Sequence, residues 1–98
     1  MEISIPHKII MSSTAHRDFD GVIRYQNNFG KLHREDGPAI IFPDGDTSWF
    51  YLGVLHRTDG PAIDWKVENR FVWSLHGKRL DVKTQEEFEH YLKLKAFW

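Results

Sequence analysis

Short apolar runs separated by turn-forming residues fill the middle of the chain. Ala39-Ile40-Ile41-Phe42 leads through Pro43-Asp44-Gly45-Asp46 into Thr47-Ser48-Trp49-Phe50-Tyr51-Leu52. β-Branched and aromatic residues on both sides of a turn predict a β-hairpin. Pro in the second turn position and Gly in the fourth suit a type I turn. The plan recurs in Ala62-Ile63-Asp64-Trp65, a turn around Glu68-Asn69, and Arg70-Phe71-Val72-Trp73-Ser74-Leu75. Side chains two apart on a strand share a face. Ile40, Phe42, Phe50 and Leu52 therefore form one set, matched by Ile63, Trp65, Trp73 and Leu75. Both sets are apolar, which predicts a core face. The other face reads Ile41, Trp49, Tyr51 and then Asp64, Val72, Ser74. Its mixed polarity predicts partial exposure and makes it the candidate partner face.

The pattern changes near the C-terminus. Thr84-Gln85-Glu86-Glu87 fits a capping box, and Phe88, Tyr91 and Leu92 follow at helical spacing. Acidic residues in the first turn and Lys93 and Lys95 near the end complement the helix dipole. A helix is predicted from about residue 85 to 95, packed on the core face or the end of the sheet. Ile3-Ser4-Ile5 and Lys8-Ile9-Ile10-Met11 read as strands, and Ser12-Ser13-Thr14 as a loop.

The hairpins belong to a repeat. Leu32-His33-Arg34-Glu35-Asp36-Gly37-Pro38-Ala39-Ile40 returns after 23 residues as Leu55-His56-Arg57-Thr58-Asp59-Gly60-Pro61-Ala62-Ile63, identical at eight of nine positions. A shortened copy starts at Gly77-Lys78-Arg79-Leu80, and a degenerate one reads His16-Arg17-Asp18-Phe19-Asp20-Gly21. A fixed short period signals stacked units that bury surface against one another. His33, Asp36, Gly37 and Pro38, with His56, Asp59, Gly60 and Pro61, are the structural motif. Asp-Gly marks a bend in which Gly allows positive φ, and each Pro suits a strand start. The fold class expected is mainly β: stacked antiparallel β-hairpin repeats in a twisted meander sheet with one C-terminal α-helix. The chain divides as N-terminal strands over 1–15, repeats over 16–80 and a helix over 84–96, all in one domain.

The Leu-His-Arg-x-Asp-Gly-Pro-Ala string resembles the repeat of variant MORN-repeat proteins, small proteins encoded by bacteriophages, other large DNA viruses and some bacteria. The group also resembles the antitoxin half of certain toxin–antitoxin pairs. The match covers about residues 16 to 80. The resemblance implies stacked antiparallel hairpins and a non-catalytic binding role, in a viral setting against host defences.

Composition narrows the chemistry. The chain has 98 residues, 13 Lys plus Arg against 14 Asp plus Glu, and no cysteine. That length fits one small domain. Disulfides, thiol chemistry and cysteine-bearing zinc sites are excluded. No apolar run approaches a membrane span, and the N-terminus makes a poor signal peptide, so a cytoplasmic protein is expected. Residues 31 to 80 carry seven basic and seven acidic side chains, without the surplus that nucleic-acid backbone binding needs.

Candidate chemistry is sparse. His33-Arg34 and His56-Arg57 can serve as a ladder of donors for an acidic ligand, or can pair with Asp36, Asp59 and turn carbonyls within the fold; the structural use is favoured. His16, His33, His56 and His76 occupy related positions, but a repeat spacing of about 10 Å is too long for shared ligation, and no metal or other cofactor is expected. Asp44 and Asp46 lie in a turn, and no nucleophile elbow or phosphate loop is present. Catalysis is not expected. The candidate partner-binding residues are Trp49, Tyr51, Tyr25, Arg34, Arg57 and Asp64. A host or partner protein is favoured over nucleic acid. Association through sheet edges is a further alternative.

Overall fold

The computed structural model describes residues 13–96, and the strands expected over 3–5 and 8–11 lie outside them. The architecture is mainly β with one helix. Six strands form an open antiparallel sheet: β1 (Thr14–Arg17), β2 (Ile23–Gln26), β3 (Ile40–Ile41), β4 (Thr47–Ser48), β7 (Ile63–Trp65) and β8 (Arg70–Val72), in that spatial order. Two short ribbons continue from it. One is β5 (Phe50–Tyr51) with β6 (Val54–Leu55); the other is β9 (Ser74–Leu75) with β10 (Lys78–Arg79). The helix, α1, spans Gln85–Ala96. The whole is a plate measuring 47 × 41 × 16 Å.

Each repeat is an outgoing strand, a tip, a returning strand that bends at an aromatic residue, a second tip and a short third strand. Its outgoing strand pairs with the returning strand of the unit before: Ile40 faces Arg24, and Ile63 faces Ser48. At the bend, Tyr25 and Trp49 each donate a backbone N–H to the next unit's alanine carbonyl, Ala39 and Ala62, both at 2.7 Å. These alanines are wholly buried. The three-residue tips close alike, with Gly21, Gly30 and Gly45 donating to the carbonyl three residues earlier at 3.0 Å, each at positive φ. The turn expected at Pro43-Asp44-Gly45 is present, closed by the Gly45 N–H on the Phe42 carbonyl. At the second tips Leu52-Gly53 and His76-Gly77 all have positive φ, which a tight two-residue hairpin requires.

Register corrects the face assignment. Ile40 pairs with Ser48, Ser48 with Ile63, and Ile63 with Val72, so these four share a face. The tip over 66–69 is one residue longer than that over 43–45. The repeat offset is 23 residues before this tip and 24 after it, so Val72 matches Ser48 and Trp73 matches Trp49. Val72 and Ser74, expected on the open face, are buried. Leu52, expected in the core, is 42% exposed because it forms a tip. Phe50 is half-buried and Trp73 buried, as a shared interior requires.

The flanking copies also align differently from the sequence reading. His16-Arg17 corresponds to Ile40-Ile41, not to His33-Arg34, and Asp18 to Gly21 form the tip equivalent to Phe42–Gly45. Thr14, expected in a loop, begins β1. Gly77 to Leu80 is a true shortened copy: Leu80 donates to the Trp73 carbonyl as His56 does to Trp49.

The C-terminal core closes this end. Trp73, Leu80 and Phe88 are buried together, with Leu75, Val82, Tyr91 and Leu92 packed around them. Thr84 Oγ1 accepts the Glu87 N–H at 3.0 Å, one half of the expected box. The other half shifts by a residue, because Glu87 Oε1 accepts from the Lys83 N–H at 2.7 Å rather than from Thr84. Trp73 Nε1 donates to Gln85 Oε1 at 3.0 Å, which fixes the helix start on the last aromatic bend.

Candidate binding groove

The repeated string builds two similar lobes, and its His, Arg, Asp and Gly each have a contact that explains the repetition. Arg34 lies 4.0 Å above the Tyr25 ring, and Arg57 lies 4.0 Å above the Trp49 ring. Both contacts have cation–π geometry. Arg34 Nε donates to Asp36 Oδ1 at 3.2 Å, and Nη1 to the Pro38 carbonyl at 3.2 Å. Arg57 repeats this with Asp59 at 2.7 Å and Pro61 at 3.2 Å. The expected Arg–Asp pairs are therefore present, and the guanidinium groups belong to the folding unit.

The glycines of the string serve a different purpose from the expected one. Neither Gly37 nor Gly60 has positive φ. A Cβ at Gly37 would lie 2.7 Å from Arg34 Cζ, and one at Gly60 would lie 2.9 Å from Arg57 Cζ. Glycine leaves room for the arginine to fold back onto its own loop.

The imidazoles take amides rather than turn carbonyls. His33, wholly buried, accepts the Leu52 N–H at Nδ1 at 2.9 Å; His56 accepts the His76 N–H at 2.8 Å. A ring nitrogen that accepts carries no proton, so each neutral imidazole is protonated at Nε2. The rings form a column. His33 to Tyr51 is 4.7 Å between centroids, Tyr51 to His56 is 5.9 Å, and His56 to His76 is 4.3 Å. Burial, and then the charge of neighbouring His76, holds the His56 pKa below its ordinary value.

Between the lobes lies a groove of about 470 Å³. Trp49 at the bend, Tyr51 in β5 and His56 just after β6 line its floor; Arg34, Glu35 and Asp36 line one side, and Arg57, Thr58 and Asp59 the other. Of the six residues expected at a partner site, Trp49, Tyr51, Arg34 and Arg57 meet here. Tyr25 sits one repeat back, beneath Arg34. Asp64 is elsewhere, in β7 between Thr47 and Phe71, and pairs with Lys66 Nζ at 2.9 Å. Its Oδ1 is buried without a hydrogen-bond partner. Asp64 stands at the position of Ile41, so face parity alone could not separate it from the groove.

Sequence reasoning missed Glu35 and Thr58. The signal was available: theirs is the one position of the nine-residue string that differs between the copies. Both are exposed on the groove.

Other expected chemistry resolves locally. His76 belongs to a tip, at the place of Leu52, which is why it reaches His56 instead of standing a repeat spacing away. No group of three or more potential ligands for a metal ion occurs among the described residues. Asp44 Oδ1 accepts the Asp46 N–H at 3.0 Å, and Asp46 Oδ1 accepts the Lys66 N–H at 2.8 Å, so both carboxylates hold adjacent tips. Among the described residues no helix is long and apolar enough to cross a membrane. No family model, curated protein or solved structure matches the chain.

Proposed function

We propose that this chain is a non-catalytic protein-binding module whose inter-lobe groove docks a segment of a partner protein. The observation that carries this reading is the state of the two guanidinium groups. Arg34 and Arg57 are each committed to a ring, a carboxylate and a carbonyl, and Glu35, Asp36 and Asp59 stand beside them. Phosphate-backbone recognition needs a surplus of uncommitted positive charge. A groove floored by Trp and Tyr with both charges at its rim has the composition of a protein interface. The resemblance to variant MORN-repeat proteins directs the proposal further, to a phage-type accessory protein that binds and inhibits a host defence or regulatory protein in the host cytoplasm.

Trp49 and Tyr51 are poor probes, because each also supports the repeat. The groove is tested at its exposed rim, with Glu35→Lys combined with Thr58→Glu. Proteins captured from a host lysate by the parent chain are expected to be lost by this variant, with an unchanged thermal transition. Retention of every captured protein, or salt-sensitive binding of single-stranded nucleic acid that the variant alters, would overturn the proposal.

A further inference from the structure

Among the described residues, the two outermost strands of the sheet are of the two kinds that pair between successive units. Inside the chain, a returning strand pairs twice with the outgoing strand of the next unit: β2 with β3 and β4 with β7. Among the described residues, the outermost strands of the sheet are β1, an outgoing strand, and β8, a returning strand.

β8 borders a cleft of about 750 Å³, lined by residues 69–73 on one side and 79–83 on the other. The equivalent space one unit earlier, bounded by 46–49 and 55–59, is filled by β7. There Thr47 faces Asp64, Ser48 faces Ile63, and Ala62 accepts the Trp49 N–H. In the last unit the chain turns away into α1, and no strand among the described residues fills the cleft. Phe71, at this edge, is 43% exposed, and the Trp73 N–H has no backbone acceptor among the described residues.

β1 has the residues for that place. Ala15 stands where Ala39 and Ala62 stand in their units, yet β1 is exposed along its whole length.

We propose that the β8 edge binds β1 of a second copy of this chain, head to tail, in the register of the internal repeats. Phe71 then faces Arg17 of the second copy, Val72 faces its His16, and the Trp73 N–H donates to its Ala15 carbonyl. The interface is heterologous, so each addition leaves both edges open and growth continues. This surface is separate from the inter-lobe groove, and its failure leaves the groove reading untouched.

The test uses the full chain, which has no native cysteine. Two variants, Arg17→Cys and Phe71→Cys, replace exposed side chains. Mixed at high concentration and oxidised, they are expected to give mainly the 17-to-71 disulfide between molecules. Sedimentation of the parent is expected to show an average mass that rises with concentration and passes beyond a dimer. Ala15→Trp, which enlarges an exposed position at the contact, is expected to suppress that rise. A monomer at millimolar concentration overturns the proposal. So does an excess of 17-to-17 or 71-to-71 products, which would mark a symmetric dimer. Where Ala15→Trp disturbs folding, the disulfide pattern still decides.

Discussion

His33 and Leu52 are joined by a 2.9 Å hydrogen bond from the Leu52 backbone N–H to the imidazole Nδ1, and His56 and His76 repeat it at 2.8 Å. Each bond ties the histidine of one lobe to the tip of the following ribbon. The histidine is thus the clasp between successive units. Leu80 occupies the same place in the shortened copy, where no further ribbon supplies an amide, and its apolar side chain joins the core instead.

His33→Leu places that third-unit residue where an amide must be met. The Leu52 N–H loses its acceptor, a loss that typically costs about 1–3 kcal/mol. Urea unfolding is expected to show this loss, and unchanged stability would show that the clasp contributes nothing.

The pH dependence of stability follows from His56. Its folded pKa lies below the ordinary 6.5, from burial first and His76 second. The unfolded chain takes up the proton more readily than the folded chain. Stability is therefore greatest above pH 6.5, declines as pH falls below it, and continues to decline until the folded pKa is passed. His76→Asn removes the neighbouring charge, keeps the backbone amide and tolerates the positive φ of this tip. The acid-side decline is expected to be shallower in this variant, as followed by thermal unfolding across pH and by titration of the His56 ring resonances. A steeper decline would contradict the assignment.

Two glycines separate close contact from backbone strain. Gly60→Ala puts a Cβ 2.9 Å from Arg57 Cζ and forces the guanidinium off Trp49. Overpacking of this kind typically costs about 1–3 kcal/mol. The indole environment of Trp49 is expected to change with it. Gly30→Ala meets nothing within 4 Å but keeps φ at +81°, so only strain applies and the indole signal is expected to stay constant. Equal spectral changes in both variants would remove the proposed reason for glycine in the repeated string.

The helix acts as the end cap of the stack. Phe88 is wholly buried, with its ring centroid 6.5 Å from that of Trp73. Phe88→Ala is expected to cost about 3–5 kcal/mol, the usual range for a buried Phe. Trp73 fluorescence is expected to shift toward that of a solvated indole. A small loss with an unshifted spectrum would show that the last unit closes without α1.

The strands, the tip at Pro43–Gly45 and the helix were legible because their causes are local. Turn residues, β-branched neighbours and a capping threonine act within a few positions. Face assignment failed after residue 66 because one extra tip residue changes the repeat offset from 23 to 24, and only pairing reveals it. Gly37 and Gly60 were read through backbone freedom, whereas their reason is a guanidinium brought back by Asp36 or Asp59. Trp49, Tyr51, Arg34 and Arg57, chosen from strand alternation and the repeated string, line one groove. Asp64 was not, because parity within a strand says nothing about the bend at Trp49 that divides the sheet from the ribbon.

The central claim is that the repeated string folds by clasping each lobe to the following tip and laying its arginine on the preceding ring. The most direct measurement is NMR scalar coupling across the N–H···N hydrogen bonds in uniformly nitrogen-15-labelled chain above pH 7. Couplings are expected from the Leu52 amide to His33 Nδ1 and from the His76 amide to His56 Nδ1, with both imidazoles protonated at Nε2. Imidazoles carrying the proton on Nδ1, with no coupling to either amide, would contradict the account.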